Sequence, residues 1–230
     1  MRTLKFAVVG SPVDHSLSPQ LHRAFAQRAG IDSLDYEKIE LELENAEVGL
    51  ERLYGQGYLG LNVTAPLKRL AFDWVDQLSP EAERLGGVNT VVWNNEGLSI
   101  GHNSDGVGFA ALCGARKPKR VVVFGSGGVL PTLITTLIRL GVEAISVVSR
   151  RRPTFDRDQQ QMIQLGWLDF EEQKHQALHG CDTVINALPR SVSLPLVNRV
   201  ASDLPSGVYW IDLNYLKIKF QLMIAQPQML

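Results

Sequence analysis

The strongest constraint on the fold of this chain is a buried strand that ends in a glycine-rich turn. Residues 121–124 (VVVF) are continuously apolar, as is typical of a parallel strand covered on both faces, and glycines follow within residues 125–128. A helical pattern then continues to about Leu140. Further apolar strands alternate with helical patterns at residues 144–149, 183–187 and 208–213. This alternation predicts a doubly wound parallel sheet in the second half of the chain.

The first half also alternates between strand and helix patterns, beginning with a strand at residues 5–10. Ser18 is predicted to be the N-cap of the first helix, with Pro19 at its first helical position. Helical spacing predicts a buried stripe on this helix, formed by Leu21, Ala24, Phe25 and Ala29. Other strands are predicted at residues 36–41, 61–64, 88–93 and 98–102, and other helices at 45–55 and 80–85.

The length of the chain allows two domains. Its 230 residues are enough for two small cores, and a helix at residues 105–115 is predicted to join them. We therefore expect an N-terminal open α/β domain at residues 1–104 and a Rossmann-type domain at residues 105–230.

The composition argues against several kinds of partner. Apolar residues make up 45% of the chain and the formal net charge is -1, so we expect no binding to nucleic acid or to an anionic membrane. No apolar run approaches the roughly 18 residues of a membrane span. The two cysteines, Cys113 and Cys181, lie far apart in the sequence, which favours a reducing cytoplasm.

The glycine turn is a candidate nucleotide site. A strand, a glycine-rich loop and a helix in this order let the backbone approach a pyrophosphate at the positive helix N-terminus. The loop residues concerned are Gly125, Ser126, Gly127, Gly128 and Val129. The third position of the usual fingerprint holds Leu130, and Pro131 removes a backbone donor. A tight turn that binds nothing is the alternative.

The residues after the next strand indicate which dinucleotide is bound. NAD-binding units usually place Asp or Glu there to bind the ribose 2′-hydroxyl. This chain has Ser149, followed by Arg150, Arg151 and Arg152. Guanidinium groups can bind a 2′-phosphate in a bidentate manner, so the sequence favours NADP. Three arginines on an ordinary loop are the alternative.

Polar residues in the first half are candidates for substrate chemistry. Lys68 could exchange a proton with a substrate hydroxyl, oriented by Asp105, although such a pair alone is commonly structural. Ser16 and Ser18 could bind a carboxylate near a helix N-terminus, unless Ser18 only caps the helix. His102 is a competing acid–base group that is better interpreted as a strand-end residue. His175 and His179 have metal-ligand spacing but no third ligand nearby, so a solvated helix face is expected and no metal.

Together these motifs resemble the shikimate dehydrogenase family. The matching segments are H15-S-L-S-P19, N62-V-T-A-P-L-K68, G87-V-N-T90 and N103-S-D-G106, together with the glycine loop and C181-D-T-V-I-N-A187. The resemblance covers residues 5 to 215. It implies a substrate domain and an NADP domain, a cytoplasmic enzyme, and NADPH-dependent reduction of 3-dehydroshikimate to shikimate in aromatic amino-acid biosynthesis. As partners it implies only these small molecules, in a monomer or a homodimer.

The resemblance also implies residue roles. Lys68 is the proton donor and acceptor, and Asp105 acts beside it in catalysis. Substrate is bound by Ser16, Ser18, Thr64, Asn89, Asp105 and Tyr215. NADP is bound by the glycine loop 125–129, by residues 149–152 and by Leu213.

Several positions depart from the family pattern. Ser104 replaces a threonine and Gly87 an alanine, while Val129-Leu130-Pro131, Ser149 and Ala187-Leu188-Pro189 differ on the cofactor side. The family segment D-G-x-x-M-L-x-x-Q does not follow Tyr215, so we expect its C-terminal helices to be missing and turnover to be impaired. The alternatives are therefore a truncated, catalytically impaired nucleotide-binding relative, a quinate/shikimate dehydrogenase, and a non-catalytic Rossmann module.

Overall fold

A computed structural model describes residues 3–114, 116–155, 157–189 and 200–213. They form two compact units that divide between Asp105 and Gly106. None of the helices in the described part of the chain combines the length and the apolar character that a membrane crossing requires.

The first unit is built on a mixed sheet of six strands. Its strands are β1 (Leu4–Gly10), β2 (Leu34–Glu40), β3 (Tyr58–Val63), β4 (Gln77–Leu78), β5 (Thr90–Trp93) and β6 (Ser99–His102). Its helices are α1 (Ser18–Arg28), α2 (Ala46–Gly55), α3 (Lys68–Trp74) and α4 (Pro80–Leu85), with a 3-10 helix at Leu43–Asn45. The strand order is β2-β1-β3-β5-β6-β4. β1 is parallel to β2 and β3, whereas β5 is antiparallel to β3 and β6.

The core of the first unit lies between the central strands and α2. Alternate residues of β1 and β3, among them Val9 and Leu61, are at most 3% exposed and pack with Leu50 and Leu53 of α2. Each large apolar side chain buried in this way contributes roughly 1.5–3 kcal/mol to stability. The packing holds the ends of β1 and β3 beside each other, and the candidate substrate residues follow these ends.

The prediction for α1 was wrong in two respects. Leu17 is the N-cap and Ser18 is already helical, without a side-chain cap hydrogen bond. The predicted stripe is exposed, with Leu21 at 49% and Phe25 at 61%, and Ala24 and Ala29 are exposed as well. The helix instead buries Pro19 and Ala26. Periodicity identified an apolar stripe, but it does not determine which side of the helix meets the sheet.

The second unit has a fully parallel sheet of five strands. These are β7 (Arg120–Phe124), β8 (Ala144–Ser149), β9 (Gln164–Asp169), β10 (Thr183–Asn186) and β11 (Tyr209–Asp212). The helices are α5 (Asp105–Cys113), α6 (Leu130–Arg139), α7 (Arg157–Met162) and α8 (Lys174–Ala177), with a 3-10 helix at Ala201–Asp203. The order β11-β10-β7-β8-β9 with parallel pairing throughout confirms the predicted doubly wound sheet.

The central strand β7 is continuously apolar in sequence because side chains pack against both of its faces. Val121 and Val123 pack into a cluster that includes Leu133 of α6, whereas Val122 and Phe124 pack into a separate cluster. Residues 121–124 of β7 are all at most 2% exposed. Because both faces of the strand are covered, neither face can carry polar residues.

Candidate active site

A lysine and an aspartate that are distant in sequence form a close pair in the first unit. Lys68 is the first residue of α3, and Asp105 follows β6 after two residues. Lys68 Nζ lies 2.6 Å from Asp105 Oδ2, and the side chains are 38% and 31% exposed. We call these residues the lysine–aspartate pair. The ammonium group is therefore held in a defined place and is still accessible to a small molecule.

Asn89 binds the other oxygen of the same carboxylate. Its Nδ2 donates to Asp105 Oδ1 at 2.8 Å and to Ser104 Oγ at 3.1 Å. Its Oδ1 accepts from the Ser104 backbone N–H at 3.1 Å and from Thr90 Oγ1 at 3.0 Å. Asn89 is 9% exposed, and its backbone binds both β3 and β6. The predicted set of Lys68, Asn89 and Asp105 is thus assembled on one end of the sheet.

Thr64 follows β3 directly and lies beside the end of β1. Its backbone N–H donates to Val9 at 2.9 Å. A Cβ atom at Gly10 would lie 2.4 Å from Thr64 Cγ2 and 2.8 Å from the carbonyl oxygen of Ala65. Gly10 therefore allows the two strand ends to approach each other, a requirement that was not predicted from the sequence.

Ser16 and Ser18, here called the serine pair, are adjacent in the structure. Ser16 Oγ donates to Ser18 Oγ at 3.1 Å and accepts from the Ser18 backbone N–H at 3.2 Å. The Ser18 hydroxyl also hydrogen-bonds Tyr36. Both serines are half-buried, so their hydroxyl groups can still reach a ligand.

Three residues that sequence reasoning did not assign connect these groups. The Tyr36 hydroxyl donates to Asn62 Oδ1 at 2.5 Å, and Asn62 Nδ2 donates to Thr90 Oγ1 at 3.2 Å. Thr90 in turn bonds Asn89. Hydrogen bonds therefore run without interruption from the serine pair to the lysine–aspartate pair. Asn62 and Thr90 lie inside recognised motifs, which was a usable signal, whereas nothing in the sequence distinguished Tyr36.

Of the histidines considered from the sequence, His175 lies in α8, whereas His179 lies beyond the end of that helix, so the two do not share a helix face. His102 is the last residue of β6, and its backbone carbonyl accepts from the Asn89 N–H at 2.9 Å. The ring of His175 pairs with Asp203, and the pair lies on an exposed surface. Neither arrangement places an imidazole in the hydrogen-bond chain described above.

The glycine loop of the second unit lies at the carboxyl end of β7. Gly125 has φ +111°, and residues 126–128 are exposed. Helix α6 begins at Leu130, whose side chain is 4% exposed and packs in the core. The bulk of Leu130, which departs from the fingerprint, is therefore accommodated inside the unit and does not obstruct the loop.

The loop lies where the strand order reverses direction. From β7 the chain continues to β8 and β9 on one side, and then returns to β10 and β11 on the other. Open parallel sheets bind ligands at this switch point, outside the carboxyl ends of the strands. The exposed glycine backbone at a helix N-terminus fits a pyrophosphate, so the residues present are compatible with a dinucleotide.

The arginine loop follows β8 at the same edge of the sheet. Ser149 Oγ donates to the Arg151 carbonyl at 2.7 Å, and Trp167 Nε1 donates to Ser149 Oγ at 3.1 Å. Residues 150–152 are exposed. Ser149 thus shapes the loop that carries the arginines, with support from Trp167, a residue that sequence reasoning missed.

The last two residues predicted from the sequence are Leu213 and Tyr215. Leu213 follows β11 at the carboxyl edge of the sheet, where its N–H donates to Asn186 at 3.0 Å. Tyr215 lies outside the described residues.

Sequence comparisons with known proteins identify a family for this chain. Residues 8–91 match the family model of the shikimate dehydrogenase substrate binding domain. The shikimate dehydrogenase (NADP(+)) of Acinetobacter baylyi is 34% identical over 197 residues, which cover 83% of this chain and 74% of the relative. The enzyme of the same name from Cupriavidus pinatubonensis is 32% identical over 226 residues, covering 92% and 76%.

Solved structures agree with this result. A shikimate 5-dehydrogenase from Mycobacterium fortuitum superposes with a TM-score of 0.77 at 29% identity, covering 95% of this chain and 81% of that one. The Thermus thermophilus shikimate 5-dehydrogenase, solved in complex with NADP(H) and shikimate, gives 0.73 at 29% identity, covering 93% and 79%. The chain belongs to the shikimate dehydrogenase family.

Proposed function

We propose that this protein is an NADP-dependent shikimate dehydrogenase, which reversibly reduces 3-dehydroshikimate to shikimate. The observation that carries the proposal is the lysine–aspartate pair, in which Lys68 Nζ lies 2.6 Å from Asp105 Oδ2 and Asn89 binds the second carboxylate oxygen. Family membership supports it, as do the named activities of the relatives from Acinetobacter baylyi and Cupriavidus pinatubonensis.

Lys68 exchanges the proton of this reaction. Oxidation of a secondary alcohol removes a hydride from carbon and a proton from oxygen, and reduction returns both. In the oxidation direction the lysine amine accepts the hydroxyl proton, and in the reduction direction the ammonium group donates it. Asp105 orients this nitrogen, and its own orientation is fixed by Asn89.

The remaining polar groups bind the substrate. We assign its carboxylate to the serine pair, whose hydroxyl groups lie at the beginning of α1. We assign the ring hydroxyls to Thr64, Asn89 and Asp105. Thr64 follows β3, Asn89 precedes the antiparallel strand β5, and Asp105 follows β6, so all three lie at one edge of the sheet. Tyr215 is proposed as a further contact.

NADP, when bound, supplies the hydride chemistry. We propose that the backbone of the glycine loop 125–129 binds its pyrophosphate and that residues 149–152 bind its adenosine end. Leu213, at the same edge of the parallel sheet, is assigned to the cofactor as well. The exposed arginines favour a 2′-phosphate over a free 2′-hydroxyl.

Arg150→Ala is expected to weaken NADP binding more than NAD binding. Loss of a charge-assisted contact should cost about 1–3 kcal/mol, because only NADP has the phosphate that a guanidinium group binds. Calorimetric titration of both cofactors measures the difference. Lys117→Ala is the matched control, since Lys117 is an exposed cation that precedes the opposite end of the sheet. Equal losses of NADP and NAD affinity in Arg150→Ala would contradict the assignment.

The proposed activity is tested with the purified 230-residue chain. Shikimate and NADP are mixed with the protein, and formation of reduced nicotinamide is followed by its near-ultraviolet absorbance. Parallel reactions contain quinate or NAD. Faster turnover with shikimate and NADP than with the other combinations supports the proposal. Cofactor binding without turnover of either acid would instead identify a catalytically impaired relative.

A cytoplasmic location is part of the proposal. Cys113 and Cys181 are both free and buried, as is usual for thiols in a reducing compartment. Burial also raises the pKa of the Cys181 thiol to about 11, so this side chain stays protonated and unreactive.

A further inference from the structure

The hydrogen bonds between Tyr36 and Asp105 all point in one direction. Tyr36 donates to Asn62, Asn62 donates to Thr90, Thr90 donates to Asn89, and Asn89 donates to Asp105. Each hydrogen bond in such an aligned series polarises the next one. The last bond, from the Asn89 amide group to the Asp105 carboxylate, is therefore strengthened. We call residues 36, 62, 90 and 89 the donor chain.

The charge of Asp105 fixes the orientation of every member. Asn89 must present its NH₂ group to the carboxylate, because its carbonyl oxygen there would be repelled. The Asn89 oxygen then faces Thr90, so the threonine hydroxyl has to donate to it and accept from the other side. This requirement places the NH₂ group of Asn62 toward Thr90 and its oxygen toward Tyr36. No member can reverse without breaking the chain.

The far end of the donor chain is held rigidly. Tyr36 is 1% exposed, and burial raises its pKa to about 12, so its hydroxyl keeps the proton that it donates to Asn62. The ring of His22 stacks on Tyr36 with 4.4 Å between centroids and also hydrogen-bonds Asn62. Asn62 and Thr90 are cross-strand partners in the antiparallel pair β3/β5, which fixes their separation.

We propose that Tyr36, Asn62 and Thr90 are positioning residues, which act through Asn89 to hold the Asp105 carboxylate in the orientation that Lys68 requires. As a statement about catalysis, this rests on the proposed dehydrogenase function. Thr90 is the critical member, because its one hydroxyl must accept from Asn62 and donate to Asn89 at the same time. Asn89 is 9% exposed, so water has little access to replace a lost partner.

Thr90→Val is the direct test, since valine keeps the shape and removes the hydroxyl. We expect kcat for shikimate oxidation to fall about 10–100-fold, with KM changed much less, because Asn89 Oδ1 then keeps only its hydrogen bonds from Ser104 and holds Asp105 less firmly. Thr90→Ser restores a hydroxyl and should recover kcat to within about 3-fold of the unmodified chain. Ser99→Ala is the matched control: it removes a buried hydroxyl that bonds Asp76 outside the donor chain, and should leave kcat unchanged.

A second measurement does not depend on activity. Solvent exchange of the Asn89 side-chain amide protons, followed by NMR, should be slow in the unmodified chain and about 10-fold faster in Thr90→Val. If Thr90→Val does not fold, Tyr36→Phe replaces it in both experiments, because it removes only the first donor.

The results of these two experiments distinguish a failure of this inference from a failure of the proposed function. If the unmodified chain does not oxidise shikimate, the proposed function fails and the exchange comparison alone decides whether the chain positions Asn89. Exchange in Thr90→Val equal to that of the unmodified chain overturns the inference. Accelerated exchange with unchanged kcat also overturns it, because the orientation of Asn89 would then have no consequence for turnover.

Discussion

Replacing Lys68 with methionine is expected to lower shikimate turnover by about 10²–10⁴-fold, the range for a general acid–base group. Methionine keeps much of the length and apolar volume of the lysine side chain but carries no exchangeable proton. Substrate affinity should change far less, because the proposed substrate contacts of the serine pair, Thr64 and Asn89 remain. Steady-state kinetics in the oxidation direction, with shikimate varied at saturating NADP, measure kcat and KM separately.

Two further variants sharpen this test. Lys68→Arg keeps the positive charge beside Asp105 but does not release a proton near neutral pH, so it should also lose turnover. Arg69→Met is the control, since Arg69 is the next residue of α3, is 68% exposed at the side chain and pairs with Asp73 on the same helix. Near-normal kcat in Lys68→Met would remove Lys68 from proton transfer. Near-normal kcat in Lys68→Arg alone would show that only its charge matters.

The sequence predicted well those features that local patterns determine. Strand β8 and helix α4 have the predicted bounds, Ala144–Ser149 and Pro80–Leu85. The parallel sheet followed from continuous apolar runs, because a strand covered on both faces leaves that signature wherever it occurs. Edge strand β9 was missed, since Gln164–Asp169 is only partly buried and lacks such a run.

Features that depend on packing between elements could not be predicted in the same way. The exposed stripe of α1 shows this, because Phe25 and Ala26 differ by one position and only the docking of the helix decides which one is buried. Helix α3 was also missed, although its first residue, Lys68, was assigned. Its seven residues are too few for a clear helical period.

The candidate site likewise contains residues that local motifs predicted and residues whose role depends on packing between elements. Lys68, Asn89 and Asp105 were assigned from motifs, and their proximity reflects the fact that each lies near the end of a strand of one sheet. The connection from Tyr36 to Asn62 depends on strand order, because β1 lies between the two strands that carry them. A contact between side chains on two strands that are separated by a third strand produces no residue spacing by which the sequence could predict it.

Gly125→Ala is expected to destabilise the second unit by about 2–4 kcal/mol. The backbone has φ +111° at this residue, where an L side chain is strained. A Cβ atom would also lie 2.9 Å from the carbonyl oxygen and 3.0 Å from the carbonyl carbon of Ala187, and backbone atoms cannot rotate away. Amide hydrogen exchange of residues 121–124 reports the stability of this unit without contributions from the first one.

Gly127→Ala separates the structural role of the loop from its ligand-binding role. Among the described residues, no atom outside its chain neighbours lies within 4 Å of a Cβ atom built at Gly127, so packing does not require glycine there. Stability should therefore change by no more than about 0.5 kcal/mol. NADP affinity should nevertheless fall at least 10-fold, or about 1.4 kcal/mol, because the new methyl group occupies space that a pyrophosphate needs to approach the backbone. Unchanged NADP affinity in a stable Gly127→Ala protein would mean that the loop is only a tight turn.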